Sequence, residues 1–494
     1  MNSRERICAV VAASNARQMW RELATALRRT RTVELRLDYL SSDTEIEKFL
    51  KKLASARPRA TLIATCRRRA AGGLYRGVPA GQLLHLAEAV RSGCEWFDLD
   101  IETARLAPPE LLEILLGQGK MLASAHFFGA APKNLSRTAT ELDRLRPSAI
   151  KIAAQCGSIA DSLRVLRLAK GRRDVVAIPM GEAAIPGRIL ALRQGSALSY
   201  APLTTATAPG QVSLDTMLDV YRAGRTTHKT RVYGVIGNPI GQSLSPQLHN
   251  AAFQARRIDA VYVPFLVRDL RDFLSSIAPL GIAGFSVTIP HKETILRHLG
   301  GCDPLARAIG AVNTVVVRGG GELYGYNTDY VGVLTALSRR IPLRGSRVLI
   351  LGAGGAARAV AFALAETGAS VCITARRPAR AKALARAAGG EAIDRQEVRR
   401  QFFDAIVNAT PVGMHPHENA SPLAASEINC RLVFDTIYHP EQTKLLRLAA
   451  RRGIETVSGV EMFLAQAAAQ WEIWTGERAP LAVMRRAVLR ALSV

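Results

Sequence analysis

In roughly the first 225 residues the apolar positions fall into short runs. These are Ile7–Ser14, Thr32–Tyr39, Ala60–Arg67, Trp96–Glu102, Met121–Phe127, Ala149–Ala154, Val175–Met180 and Ala197–Ala201. Each is short enough to be a buried strand, and the stretches between them, such as Ala16–Arg29 and Ile159–Lys170, repeat at the helical period. Eight strand–helix repeats in this length predict a (β/α)8 barrel. A doubly wound eight-stranded sheet is the other arrangement that fits the pattern.

The pattern changes after Tyr221–Arg231, a short, polar, basic stretch that reads as a linker. Strands are expected at Val232–Gly237, Ala260–Phe265, Gly284–Thr288 and Ala311–Val317, with a helix near Tyr330–Ser338. Arg347–Thr367 is strand, glycine turn and helix. Further strands fit Ser370–Thr374, Ala405–Asn408, Leu432–Thr436 and Thr456–Ser458, and helices fit Glu461–Gly476 and Ala479–Leu492.

At 494 residues the chain exceeds one core, because domains usually hold about 100–250 residues. No apolar run is long enough to span a bilayer. Met1–Arg6 leads directly into a strand, without a secretory leader, and the seven cysteines are scattered with no CxxC pair. Both features predict a cytoplasmic chain with reduced thiols and no metal site. The net charge is +25, but the excess is shared by both halves and aromatics are only 5%. The few aromatics argue against a base-stacking platform, and attraction of anionic substrates and cofactors explains the sign of the charge as well as nucleic-acid binding would.

Glu34-Leu35-Arg36-Leu37-Asp38 alternates charged and apolar residues, which puts three charges on one strand face. Such charges inside a barrel must pair with one another or bind something. Lys151 stands alone among small apolar neighbours in Ala149-Ile150-Lys151-Ile152-Ala153, one strand after His126. A buried lysine loses its charge easily, and a neutral amine attacks carbonyls.

The half resembles the type I 3-dehydroquinate dehydratases, through ELRLD at Glu34–Asp38, TCR at Thr65–Arg67, the strand ending in His126 and IKIA at Ile150–Ala153. PGR at Pro186–Arg188, GSxLxYA at Gly195–Ala201 and TAPGQ at Thr207–Gln211 complete the set. The resemblance implies that Lys151 forms an imine with the substrate ketone and that His126 moves the proton. It also implies that Arg188 binds the carboxylate, and that Glu34, Arg36, Arg67, Thr207 and Gln211 complete the substrate site. Ala71 stands where that family usually has a glutamate before Gly72-Gly73, and Thr207 where it has a serine.

In the second half Gly352, Gly354 and Ala357 satisfy GxGxx[G/A] directly after a strand. Glycines there let a pyrophosphate approach the backbone, and the helix N-terminus supplies positive potential. The next strand ends in Thr374-Ala375-Arg376-Arg377 rather than in an acidic residue, which suits the 2′-phosphate of NADP. GNPIxxSLSPxxHN at Gly237–Asn250, VTIPHK ending at Lys292, IGAVNT at Ile309–Thr314 and GYNTD ending at Asp329 surround this turn. NATPVGM at Asn408–Met414, DxxYxPxxTxLL at Asp435–Leu446 and GxxMxxxQ at Gly459–Gln466 follow.

Together they resemble shikimate dehydrogenase. The resemblance implies Lys292 and Asp329 as the catalytic pair, with Ser243, Ser245, Thr288, Asn313, Tyr438 and Gln466 on the substrate. It places NADP(H) on Gly352, Ala353, Gly354, Gly355, Ala356, Arg376, Arg377 and Gly459. Gln242 and Ser286 depart from the family's usual histidine and asparagine.

The expectation is an α/β chain: a (β/α)8 barrel over 1–225, a linker over 226–231, a substrate domain over 232–335 plus 460–494, and a Rossmann-type domain over 336–459. It would convert 3-dehydroquinate to 3-dehydroshikimate and then to shikimate, with NADP(H), no metal, no nucleic acid and no membrane. The alternatives are a shikimate/quinate dehydrogenase carrying an inactive barrel, and a barrel that serves only as a scaffold or binding module.

Overall fold

A computed structural model of the chain describes residues 3–204 and 210–493. Eight parallel strands form the first sheet: β1 (Ile7–Val11), β2 (Thr32–Arg36), β3 (Thr61–Thr65), β4 (Trp96–Asp100), β5 (Lys120–Ala130), β6 (Ala149–Gln155), β7 (Val175–Met180) and β8 (Ser199–Pro202). The order is β7-β6-β5-β4-β3-β2-β1-β8. Between the two end strands, the Ala197 amide donates to the Val175 carbonyl at 2.8 Å. The sheet is therefore a nearly closed barrel and not a doubly wound sheet.

Several strand ends differ from expectation, and for two of them the local cause is plain. β2 stops at Arg36, and Leu37–Tyr39 forms a 3-10 turn. There Asp38 accepts two bonds from Arg36, so the alternation breaks where a short-range ion pair forms. β4 stops at Asp100, whose carboxylate caps the helix Ile101–Leu106. That cap satisfies an orphan amide and ends the strand.

The second sheet contains β9 (Arg231–Gly237), β10 (Ala260–Leu266), β11 (Ile282–Val287), β12 (Gly301–Cys302), β13 (Thr314–Val317) and β14 (Leu323–Tyr326). The hairpin of β13 and β14 pairs Thr314 with Tyr326. Its turn needs Gly320 and Gly321 at φ of 77° and 85°, where a side chain is strained. β14, only Leu-Tyr-Gly-Tyr, has no alternation and was not expected.

The third sheet contains β15 (Arg347–Leu351), β16 (Ser370–Thr374), β17 (Glu391–Ala392), β18 (Phe403–Asn408), β19 (Cys430–Asp435) and β20 (Glu455–Val457). Its order, β17-β16-β15-β18-β19-β20, is that of a dinucleotide-binding domain.

By its contacts the chain divides into two compact units, 1–232 with 259–281 and 233–258 with 282–494. The stretch expected as a linker is partly packed: Thr226 and Thr230 are buried, and the Thr230 carbonyl accepts from Arg193. No described helix is long and apolar enough to cross a membrane.

Beside the barrel's charged residues lies an apolar cluster that includes Val10, Ile63, Leu122, Val176 and Ile178. Leu122→Ala should cost about 2–5 kcal/mol, because the closed ring of strands cannot collapse onto the cavity. A chemical-denaturation midpoint for the barrel that stays unmoved would contradict this.

Candidate active sites

The interior of the barrel gathers charge from its even-numbered strands. Lys151 on β6 donates to Glu34 Oε1 on β2 at 3.0 Å and contacts Asp98 Oδ2 on β4. Its ammonium also lies 4.7 Å from the centre of the Tyr200 ring on β8. Alternate strands of a barrel fill one layer together, and this layer is polar where hydrocarbon is usual. Lys151 is 2% exposed, yet it is not isolated among apolar groups as its sequence neighbours suggest. Its neighbours along the strand are apolar, while its partners come from across the barrel. Its burial is therefore offset by two carboxylates and does not by itself make a free amine.

The carboxylates are themselves held. Asp98 Oδ1 accepts from Arg67 at 2.7 Å and from Ser124 at 2.8 Å. Glu34 Oε1 accepts from Thr65 at 2.9 Å. Burial works against the Asp98 charge, but Lys151 and Arg67 hold its carboxyl well below the usual range.

Ser124 is in register with Lys151 on the next strand, so His126 lies two residues on and on the same face. Burial, then the charges of Arg67 and Lys151, push the His126 imidazole well below its ordinary value. Its Nδ1 is buried without a hydrogen-bond partner, and its ring stacks on Phe128.

Not every expected residue joins this cluster. Arg36 is committed to Asp38 by bonds of 2.9 and 2.7 Å. Arg188 is 4% exposed, its Nε has no partner, and burial pulls its guanidinium down to about 10. No described contact joins it to Lys151. Gln211 is half-buried, and Thr207 lies outside the described residues. Ala71 ends the 3-10 turn Arg69–Ala71 and contributes only a methyl group.

Asp98, Ser124 and Tyr200 were not singled out from the sequence. Trp96-Phe97-Asp98-Leu99-Asp100 carries the same alternation as Glu34–Asp38, so the signal for Asp98 was present.

In the second unit the hairpin of β13 and β14 brings Asn313 beside Asn327-Thr328-Asp329. Asn313 Nδ2 donates to Asp329 Oδ1 at 2.8 Å, and Lys292 Nζ donates to Asp329 Oδ2 at 2.5 Å. The Asp329 amide in turn donates to the Asn327 side chain at 3.1 Å. Gln466, on the helix Gly459–Thr475, reaches Asn313 at 3.5 Å. The Tyr438 ring stacks on Phe463 at 4.3 Å. Burial raises its hydroxyl, against bonds from the Leu244 backbone and the Ser243 side chain. The Ser243 hydroxyl accepts from the Ser245 amide at 3.3 Å, and the Thr288 amide donates to the Ile236 carbonyl at 2.9 Å.

The nucleotide turn follows β15. Gly352 has φ of 116°, and a Cβ there would meet the Ala409 carbonyl oxygen at 3.1 Å. A Cβ on Gly354 would meet open space, which leaves room for a phosphate beside the start of the helix Gly355–Glu366. Ala353 and Ala356 are half-buried in the same turn, and Arg376 and Arg377 are exposed beyond β16. Gly459 has a packing reason as well: a Cβ would fall 2.5 Å from the Ile437 backbone. Among the described residues no His, Cys, Asp and Glu cluster is arranged to hold a metal ion.

A ring of parallel strands around a buried lysine, and a dinucleotide fold behind a Lys–Asp pair, define two α/β enzyme units. Residues 7–227 match the family model of type I 3-dehydroquinase, 235–315 that of the shikimate dehydrogenase substrate-binding domain, 335–413 that of shikimate/quinate 5-dehydrogenase and 459–489 that of the shikimate 5′-dehydrogenase C-terminal domain. The bifunctional chloroplastic 3-dehydroquinate dehydratase/shikimate dehydrogenase of Arabidopsis thaliana is 35% identical over 472 residues, 91% of this chain and 78% of that protein. The NADP(+) shikimate dehydrogenase of Methanothermobacter thermautotrophicus is 43% identical over 54% of this chain and 99% of its own. A shikimate dehydrogenase solved with NADP+ shares 37% identity at a TM-score of 0.50, covering 54% of this chain and 97% of that one. The chain belongs to the bifunctional 3-dehydroquinate dehydratase/shikimate dehydrogenase family. It joins a lyase to an oxidoreductase.

Gly355 links the turn to the Lys–Asp pair, because an ideal Cβ there would lie 3.0 Å from Lys292 Cβ. Gly355→Ala should displace the lysine by a few tenths of an ångström and lower reductase kcat about tenfold or more. Steady-state rates of both half-reactions check this, since dehydration should be unchanged.

Proposed function

We infer that residues 1–225 dehydrate 3-dehydroquinate through an imine on Lys151. Residues 226–231 join this half to a reductase built from 232–335 with 460–494 and from 336–459. The observation that carries the reading is the charged cluster around Lys151 beside a neutral, buried imidazole.

Lys151 gives up an ammonium proton and its nitrogen adds to the ketone carbon; the oxygen takes that proton and one more from the nitrogen and leaves as water. The resulting iminium draws electrons from the neighbouring C–H bond. His126, kept neutral by burial and by Arg67 and Lys151, accepts that proton. The same imidazolium then protonates the departing hydroxyl, and water releases 3-dehydroshikimate from the lysine. Arg188, a buried guanidinium with an unpartnered Nε, suits the substrate carboxylate. Glu34, Arg67 and Gln211 suit the hydroxyls, as Arg36 does if it leaves Asp38, and Thr207 belongs to the same set. Ala71 carries no acid, so proton transfer rests on His126.

In the second unit NADPH would sit on the glycine turn 352–356, with Arg376 and Arg377 on its 2′-phosphate. When bound it supplies the hydride that reduces the ketone. Lys292, oriented by Asp329, donates the proton to the developing alkoxide. Ser243, Ser245, Thr288, Asn313, Tyr438 and Gln466 hold the substrate, and Gly459 lets the helix that carries Gln466 approach Ile437.

Separate assays of the two half-reactions test the assignment. Borohydride with 3-dehydroquinate should leave a reduced adduct on Lys151. Lys151→Ala should abolish dehydration and spare reduction, while Lys292→Ala should do the reverse. Dehydration that continues with Lys151 unmodified would refute the imine.

Cofactor choice has its own check. Replacing Arg376 and Arg377 with alanine should raise the KM for NADPH about tenfold or more and leave that for NADH nearly unchanged. A wild-type preference for NADH would contradict the assignment.

A further inference from the structure

Asp98 is an acid inside the barrel to which the dehydration scheme gives no task. It is 2% exposed on β4. Arg67 and Ser124 both donate to its Oδ1, at 2.7 and 2.8 Å, and its Oδ2 contacts the Lys151 amine. One carboxylate oxygen is therefore anchored from two sides, and the other is aimed at the nitrogen that reacts.

We propose that Asp98 is a positioning residue and the fixed counter-ion of the Lys151 imine, keeping its nitrogen protonated while the adjacent C–H bond breaks. The proposal rests on the imine reading of the barrel.

The reason lies in the electron count. Counted from the ammonium, –NH3+ and the ketone give water and –NH+=C, so the nitrogen keeps one hydrogen and one positive charge. As His126 takes the carbon-bound proton, the C–H pair becomes a carbon–carbon double bond and the C=N pair moves onto nitrogen. A neutral imine accepts that pair poorly. A carboxylate in contact favours the charged form, typically by about 1–3 pKa units.

Several groups face Lys151 from the surrounding strands. They are Cys8 on β1, Glu34 on β2, Asp98 on β4, His126 on β5 and Tyr200 on β8, with Arg67, just beyond β3, held on Asp98 and Arg36 held on Asp38. β7, Val175–Met180, offers no titratable side chain. Burial pushes the Cys8 thiol and the Tyr200 hydroxyl well up, so both stay neutral. Only Glu34 and Asp98 remain as anions.

The two anions are not equivalent. Glu34 has one side-chain donor, Thr65, besides the lysine, so it can turn toward a substrate hydroxyl. Asp98 has Arg67 and Ser124 on the oxygen that faces away from Lys151, which prevents it from leaving. Its carboxyl is held low by Lys151 and Arg67 against burial, so it stays ionised through the working pH range.

Asp98→Asn in the full-length chain removes the charge and keeps the shape. Dehydratase kcat should fall about 100-fold or more. The alkaline limb of its pH profile, where the imine loses its proton, should move down by about one unit or more. KM should change little, because Asp98 acts through the lysine. Reductase activity and the far-UV spectrum report the fold, and Asp98→Ala serves for the same profile if the asparagine variant does not fold.

A uniform loss of rate with the alkaline limb unmoved would overturn the proposal. So would failure of both variants to fold, which would make Asp98 purely structural. Absence of a borohydride adduct on wild-type Lys151 is a different result, and it would overturn the imine reading itself.

Discussion

A lysine ammonium held between Glu34 and Asp98, inside a ring of eight strands, is the constraint on which the first half of the chain depends. Burying each such ion costs several kcal/mol unless its partners are well placed. The barrel meets this cost by bringing Thr65, Arg67 and Ser124 to the two carboxylates. Those polar side chains come from strands on either side, so strand register and charge placement support each other. Removing one partner would leave an uncompensated charge in an otherwise apolar interior.

The second half uses a different solution to a related problem. Asp329 lies at the start of the helix Asp329–Leu337 and takes donors from Lys292 and Asn313 on its two oxygens. A short hairpin puts Asn313 and Asp329 side by side, and the nucleotide turn packs against the lysine through Gly355. The Lys292–Asp329 pair and its neighbours are thus assembled from the hairpin, the turn after β11 and the helix that carries Gln466.

The two chemistries suit each other. Dehydration through an imine releases an enone, and reduction of its ketone is the task for which the second unit is equipped. The spread of positive charge over both halves fits anionic substrates and an anionic cofactor.

Local pattern alone determined much of this protein. The eight apolar runs are eight strands, the glycine turn is where the strand–helix spacing put it, and Lys151 and His126 stood out by residue type and neighbours. Those are properties of short segments, set by hydrophobic period and turn chemistry. Lys292 and Asp329, by contrast, were named only through the family resemblance. The tertiary structure decided what touches what. Lys151 and Glu34 are 117 residues apart, and no periodicity joins them. Asp98 carried an alternation signal, but its partners appear only when β3, β4, β5 and β6 lie side by side. β14 was too short to show a period, although its pairing with β13 brings Asn313 to Asp329. The charge of the barrel lysine and the burial of Arg188, whose Nε lacks a partner, follow from neighbours across the fold, because Coulomb and desolvation energies depend on distance in space and not along the chain.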